Sequence, residues 1–296
     1  MKIYINGHYY SKDEAKISVF DHGLLYGDGV FEGLRIYHGK VFKLREHIDR
    51  LYRSARAIAL DIPLAELEVE QAVLDTVAAN QKTEGYIRLI VTRGVGPLGL
   101  DPSTCEKASI IIIAGDIQLY PKEHYEKGIK VITAATRRVS PDALDPRIKT
   151  LNYLNNIMAK IEARRAGCLE AVMLNSEGFL AECTADNIFI VKNSELLIPA
   201  PFHGALDGIT MRTVIELAAS LGIRTLETTL TRYDLYNADE CFLTGTGAEI
   251  IPITDIDSRR IGSGRPGTIT TKLIAAFKDF VAQWDEGSTL LHRINA

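Results

Sequence analysis

Cysteine is scarce and scattered in this chain. Its four copies, Cys105, Cys168, Cys183 and Cys241, form no CxxC pair, which argues against a zinc ribbon and against a secreted disulfide framework. They read as reduced thiols of a cytoplasmic protein. Long apolar runs are missing as well. The most apolar stretch, Ala108 to Gly115, is too short to span a bilayer, and the opening MKIYINGHYYSKDEAKI lacks an apolar signal core, so no membrane association is expected. Nor is there an excess of positive charge: 34 Lys and Arg stand against 38 Asp and Glu, a net charge of -4, which gives no basic field to attract nucleic acid. No repeat or low-complexity tract occurs. The seven histidines include no HExxH and no pair at ligand spacing, so no metal is expected, and His22 and His47 read as structural or solvent-facing. Serine hydrolase chemistry has no support in the sequence, since no GxSxG elbow occurs. Gly27, Gly29 and Gly33 in YGDGVFEG miss the GxGxxG spacing of a dinucleotide site. Small molecules and further copies of the chain remain as partners.

What is present suffices for a sizeable core: 296 residues, 46% of them apolar and 24% charged, enough for one large or two ordinary domains. Lys2 to Tyr10 alternates around Asn6-Gly7 and predicts a hairpin. Leu44 to Leu60 carries apolar residues at 48, 51, 55, 58 and 59, a helical stripe, and Leu64 to Asn80 repeats it. Gly85 to Arg93 and Ala108 to Ala114 are strand-like and flank GVGPLGLDPSTC, a Gly/Pro loop of the length of a substrate loop or lid. These elements predict a small N-terminal domain over 1–116. Residues 117–128 turn polar and predict a linker. A larger domain follows over 129–296, with strands at Ile129 to Thr136, Ala171 to Asn175, Asn187 to Val191, Glu195 to Ile198 and Glu240 to Thr244. Its helices are expected at Thr150 to Ala166, Met211 to Leu221 and Thr268 to Trp284. The fold class is thus α+β with two domains, since the alternation is too irregular for a doubly wound sheet.

Two segments could cradle an anion. In LDGITMR a turn feeds a helix, so the amides of Ile209 and Thr210 would point along a positive dipole end; a plain helix start capped by Asp207 or Thr210 is the alternative. In LTGTG the backbone around Gly245, Thr246 and Gly247 could form a nest, or only a turn. Lys149, in DPRIKTLNYLNN, stands just ahead of the expected helix, where the macrodipole would lower its pKa if the side chain were buried. A lysine that reacts as a neutral amine gains from that setting; an exposed lysine beside Arg147 is the alternative. Glu182, in FLAECTADNIF, is either an edge-strand surface acid or a buried carboxylate that needs a partner, which a protonated pyridine nitrogen would supply.

These segments together resemble the branched-chain aminotransferase family, within the D-amino-acid-aminotransferase-like enzymes of fold type IV. The likeness covers nearly the whole chain and runs through DHGLLYGDGVFEGLR, KLREHIDRL, GYIRLIVTRG, IKTLNYLNN, LAECTADNIF, LDGITMR and LTGTGAEI in order. It implies a sandwich-like small domain, a mixed sheet or pseudo-barrel with helices in the large one, and pyridoxal 5'-phosphate at the domain interface. It makes Lys149 the Schiff-base lysine and catalytic proton carrier, and pairs Glu182 with the pyridine nitrogen, so that the ring accepts the electrons left by the departing α-proton. Arg45 would clamp the phosphate with the amides of Ile209 and Thr210 and with Gly245 and Thr246, while Tyr153 would bond the phenolic oxygen. Tyr26, Phe31, Gly33, Arg35, Tyr86 and Arg88 would form the substrate pocket, with the α-carboxylate on Thr246 and Gly247. One pocket must accept both an aliphatic side chain and the second carboxylate of glutamate, and Arg88 is the reachable cation.

The implied reaction moves the amino group of leucine, isoleucine or valine to 2-oxoglutarate. The same scaffold also carries D-amino-acid or (R)-amine transaminases and aminodeoxychorismate lyase, and a cofactor-binding structural oligomer is the non-enzyme alternative. In such families the loop at Gly96 to Asp101 reaches a neighbouring subunit, which implies at least a homodimer. Cys183 stands where many relatives carry glycine, and its sulfur is expected either at the cofactor or in the core.

Overall fold

The computed structural model describes residues 1–117 and 120–284. The described residues form two compact units, one made of Met1–Ile117, Ile148–Asn152 and 281–284, the other of 120–147 and Tyr153–Phe280.

The first unit opens with β1 (Lys2–Ile5) and β2 (His8–Ser11), the expected hairpin. Asn6 and Gly7 have φ of 49° and 90°, the left-handed pair that a two-residue turn between twisted strands requires. After the short α1 (His22–Tyr26) come β3 (Gly29–Tyr37), β4 (Lys40–Val41), α2 (Leu44–Ala57), α3 (Glu66–Ala79), β5 (Gly85–Thr92) and β6 (Ser109–Gly115). The six strands make an antiparallel sheet in the order β2-β1-β6-β5-β3-β4. α2 ends at Ala57, earlier than its stripe suggests, because Ala59 turns left-handed at φ 49°. α3 starts at Glu66, where the Glu68 carboxylate accepts the Ala65 N–H at 2.7 Å and satisfies one of the free donors of a helix start.

Period two divides the residues of β3 and β5 between two environments. Val30, Leu34, Ile36, Ile87, Leu89 and Val91 are buried in one core with Ile48 and Leu51 of α2 and Ile110 and Ile112 of β6. Glu32 shares that face and is fully buried. Its carboxylate accepts from Arg50 Nε at 2.7 Å, Arg50 Nη2 at 2.8 Å and His47 Nδ1 at 2.7 Å, so the acid ties β3 to α2. Burial alone would raise its pKa, but the charges and hydrogen bonds of Arg50 and His47 outweigh it and hold the carboxyl far below its usual range. His47 is pushed down, chiefly by burial.

The second unit holds α4 (Lys122–Lys127), β7 (Ile129–Thr133), α5 (Leu154–Arg165), β8 (Glu170–Leu174), β9 (Leu180–Cys183), β10 (Asn187–Lys192), β11 (Glu195–Pro199), α6 (Ile209–Ser220), β12 (Thr225–Thr228), α7 (Arg232–Tyr236), β13 (Glu240–Gly245), β14 (Glu249–Ile256), β15 (Arg259–Arg260) and α8 (Thr268–Gln283). Its mixed sheet runs β12-β11-β10-β13-β14-β7-β8-β9, with β15 on β14. The Cys183 N–H donates to Asp186 C=O at 2.7 Å, so β9 turns back toward β10 and the sheet curls into a half-barrel. Cys183 lies inside the core with Ile188, Leu243 and Ile251, and burial pushes its thiol pKa well up; of the two places expected for this sulfur, it takes the packed one. α5 lays Ala159 and Ala163 against Ala171 and Met173.

Two sequence expectations change. The segment read as linker carries a helix, α4, and the second unit begins inside it. The helix expected from Thr150 begins at Leu154, because Ile148–Asn152 is extended and added to the first unit. Phe31 N–H donates to Lys149 C=O at 3.0 Å, Leu151 N–H to Gly29 C=O at 2.9 Å, and Thr150 bridges Val30. Among the described residues, no helix is long and apolar enough to cross a membrane.

Replacing Glu32 with Gln should cost about 3–5 kcal/mol at neutral pH, because it breaks a buried ion pair. A carboxyl with a depressed folded pKa stabilises above its unfolded pKa, and that contribution is lost as pH falls toward the folded value. The gap between wild type and Glu32→Gln in urea denaturation should therefore narrow once pH drops below about 4.3. A gap constant down to that region and beyond would contradict the ion-pair account.

Candidate functional site

On the side of β3 and β5 opposite the core lie Phe31, Gly33, Arg35, Tyr86 and Arg88. The register pairs Gly33 with Arg88 and Arg35 with Tyr86, so alternation brings five expected pocket residues to one face. The Arg88 guanidinium carbon stands 4.5 Å from the centre of the Phe31 ring and 5.6 Å from that of Tyr86, and Arg88 Nη2 approaches the Tyr86 hydroxyl at 3.4 Å. Gly33 is required here by space: a β-carbon on it would sit 1.8 Å from Tyr86 Oη. Arg35 turns toward Tyr37, its guanidinium carbon 4.9 Å from that ring. The Tyr26 hydroxyl accepts the Gly99 N–H at 3.1 Å and so ties α1 to the 94–105 loop.

Lys149 comes to this same group. Its Nζ stands 4.6 Å from the centre of the Phe31 ring, the ring that also faces Arg88. Its backbone is fixed between two elements, by Phe31 N–H on its carbonyl and by its own N–H donated to Ser54 Oγ of α2 at 3.2 Å. Lys149 does not stand at a helix start as expected, since α5 begins five residues later. Lys149 is instead a half-buried residue of a strand-like segment, over an aromatic face that attracts a cation. Arg45 is exposed in the first turn of α2, where its charge draws the Glu70 carboxyl down against a larger upward push from burial.

In the second unit Glu182 is buried, which removes the surface-acid alternative. One carboxylate oxygen meets Arg138 Nη2 at 2.9 Å, and the other accepts the Leu206 N–H at 2.8 Å. Arg138 is held in turn by Asn156 Oδ1 at 3.0 Å and Asn155 Oδ1 at 3.2 Å. α6 has Gly208 as its N-cap and no side-chain cap, so neither Asp207 nor Thr210 takes that role. Asp207 turns to Arg212 Nε at 2.6 Å, and Thr210 is buried in the first turn. The amides of this turn are thus presented without a protein cap, the arrangement that suits an anion. Gly245 ends β13, and Thr246 and Gly247 form the half-buried turn into β14. Tyr153 is the half-buried N-cap residue of α5.

The sequence reading missed Arg138, Ser54 and the acid-base pairing of Glu32. Only the rule that a buried carboxylate needs a partner pointed toward Arg138, and nothing marked it apart from the adjacent Arg137.

Residues 29–256 match the model of the amino-transferase class IV family. The chain belongs to the class IV aminotransferases. A provisionally named branched-chain-amino-acid aminotransferase of Methanocaldococcus jannaschii is 52% identical over 96% of this chain and 98% of its own. The D-alanine aminotransferase of Bacillus licheniformis is 35% identical over 95% of this chain and 97% of its own. Among solved structures, the branched-chain amino acid aminotransferase of Escherichia coli superposes with a TM-score of 0.93 at 34% identity, covering 97% of this chain and 96% of that one. The branched-chain amino acid aminotransferase of Thermobaculum terrenum in its PLP-form gives 0.87 at 31%, covering 96% and 94%. The class IV aminotransferase fold, two units of α+β type with a curled mixed sheet in the larger, is therefore that of this chain.

For this aminotransferase, Gly33→Ala should displace the Tyr86 ring and, with this face expected to line the pocket, lower kcat/KM by about tenfold or more. On a Tyr86→Ala background the same change should add little, because the atoms it meets are gone. Independent, additive losses would show that Gly33 matters for another reason.

Proposed function

We propose that the protein transfers the amino group of branched-chain L-amino acids, leucine, isoleucine and valine, to 2-oxoglutarate, with pyridoxal 5'-phosphate as cofactor. The observation that carries this reading is the meeting of Lys149 Nζ and the Arg88 guanidinium on one Phe31 ring. A reacting amine, an apolar wall and a cation for a second carboxylate are what a transaminase with two unlike substrates needs in one pocket. The alternation of β3 and β5 supports placing Phe31, Gly33, Arg35, Tyr86 and Arg88 around the substrate, and Tyr26 would join them from the end of α1.

The chain's own groups fit a phosphorylated pyridine. The uncapped first turn of α6 offers the amides of Ile209 and Thr210 to a phosphate, with Arg45, Gly245 and Thr246 as further anchors, and Thr246 and Gly247 would receive the α-carboxylate. Glu182, fixed by Arg138 and the Leu206 N–H, suits a protonated ring nitrogen. Tyr153 would donate to the phenolic oxygen. When bound, the cofactor supplies an electron sink for the bond broken at the α-carbon. Lys149 Nζ would hold the cofactor and carry the α-proton, and its backbone bonds to Phe31 and Ser54 place the amine over the Phe31 face.

We further infer a cytoplasmic homo-oligomer. Leu154, Ile157, Met158 and Ile161 form an exposed stripe on α5, and Leu98 and Leu100 are exposed on the 94–105 loop, both of which favour self-association. A D-amino-acid reading has one specific support, the 35% identity to a D-alanine aminotransferase. Exposing the cofactor-loaded protein to L- and D-amino acids and (R)-amines and following its visible band separates the two: L-leucine should discharge the band and D-alanine should not. Lys149→Ala should abolish turnover. Arg88→Leu should weaken the use of 2-oxoglutarate by about 100-fold and that of leucine by far less, since only the former leaves a carboxylate unpaired. Equal losses would contradict the shared pocket.

A further inference from the structure

Two adjacent residues underlie both anion cradles and the buried acid of the second unit. Asn187 opens β10, lies opposite Thr244 of β13 and is nearly buried. Its Nδ2 donates to Leu206 C=O at 2.8 Å, while Leu206 N–H donates to Glu182 Oε2 at 2.8 Å. Leu206 is therefore gripped from both sides, two residues before the N-cap of α6. The other atom of the Asn187 amide fills the space beneath that N-cap: a β-carbon on Gly208 would lie 2.0 Å from Asn187 Oδ1. Asp186 stands in the same relation to the second cradle, its Oδ1 lying 1.9 Å from where a β-carbon on Gly245 would be.

An uncapped helix start binds an anion through the direction of its first amides, and a shift of the entering chain re-aims them all. We propose that Asn187 is a positioning residue for the cofactor's phosphate. Its amide sets the entry of the chain into α6 and, through Leu206, locks that entry to the carboxylate of Glu182, so the groups proposed for the phosphate and for the ring nitrogen are held in one frame. The inference rests on the proposed cofactor reading.

The test compares two probes that differ only in the phosphate, pyridoxal 5'-phosphate and pyridoxal. Each is titrated into the full-length protein stripped of cofactor, with the visible band of the bound compound as readout. Asn187→Ala should raise the dissociation constant of the phosphorylated probe by about tenfold and that of pyridoxal by less than about twofold, the size of one lost positioning hydrogen bond. Equal weakening of both, or of neither, overturns the proposal, since a residue that only supports the core would not distinguish them. If Asn187→Ala fails to fold, Asn187→Asp keeps the shape beside Gly208, loses the donor to Leu206, and is judged on the same ratio. A wild-type protein that gives no band with either probe overturns the cofactor reading and the positioning role with it.

Discussion

A single strand, β3, packs into a core on one side and carries Phe31, Gly33 and Arg35 on the other, and much of the first unit follows from that. Val30, Leu34 and Ile36 hold the core face. The opposite face is thereby free to present Phe31 and Gly33, with Tyr86 and Arg88 beside them on β5. Glu32 is the exception on the core side. An unpaired carboxylate there would be prohibitive, and Arg50 and His47 turn the liability into a clasp that sets how α2 lies on the sheet. Ser54 of the same helix then reaches the backbone of Lys149. The backbone of Lys149 is thus held by a helix that a buried charge pair fastens to the sheet.

The second unit uses a different device. Its candidate groups, Glu182 of β9 aside, stand at turns, where regular hydrogen bonding ends and backbone donors become available. Glu182 is fixed by a cation and by a main-chain amide, and the N-terminus of α6 is left uncapped because the one acid beside it pairs with Arg212. The side chains of Asn187 and Asp186 pack under Gly208 and Gly245, the glycines of the two turns.

Patterns of short range were legible in the sequence. The Asn6-Gly7 hairpin, the stripe of α2, the strands β5, β6, β8, β10 and β13 and the start of α6 all announce themselves through periodicity or turn chemistry. Contacts of long range were not. Glu32, His47 and Arg50 look like ordinary charges, and their burial depends on the helix packing across β3, which no local window contains. Arg138 stands in a pair of arginines with no periodic signal. Thr150 to Tyr153 read as helix, but the open backbone edge of β3 competes for the same residues and wins, which moved the helix start to Leu154 and changed the reason for the setting of Lys149. Roles for particular residues came from resemblance, whereas the shared face of Phe31, Gly33, Tyr86 and Arg88 comes from alternation together with the pairing of β3 and β5, which no local window contains.

The return of residues 148–152 to the first unit has a consequence for dissection of the molecule. A contiguous fragment covering 118–280 would include the lysine in its sequence yet lack β3 and Ser54, the surfaces that hold it. Conversely, a fragment ending at 117 would display the aromatic wall with no amine to face it. Neither half can be excised with a complete reactive group, and during synthesis the first sheet must wait for roughly thirty further residues before its final extended segment emerges from the ribosome, a delay on the order of seconds.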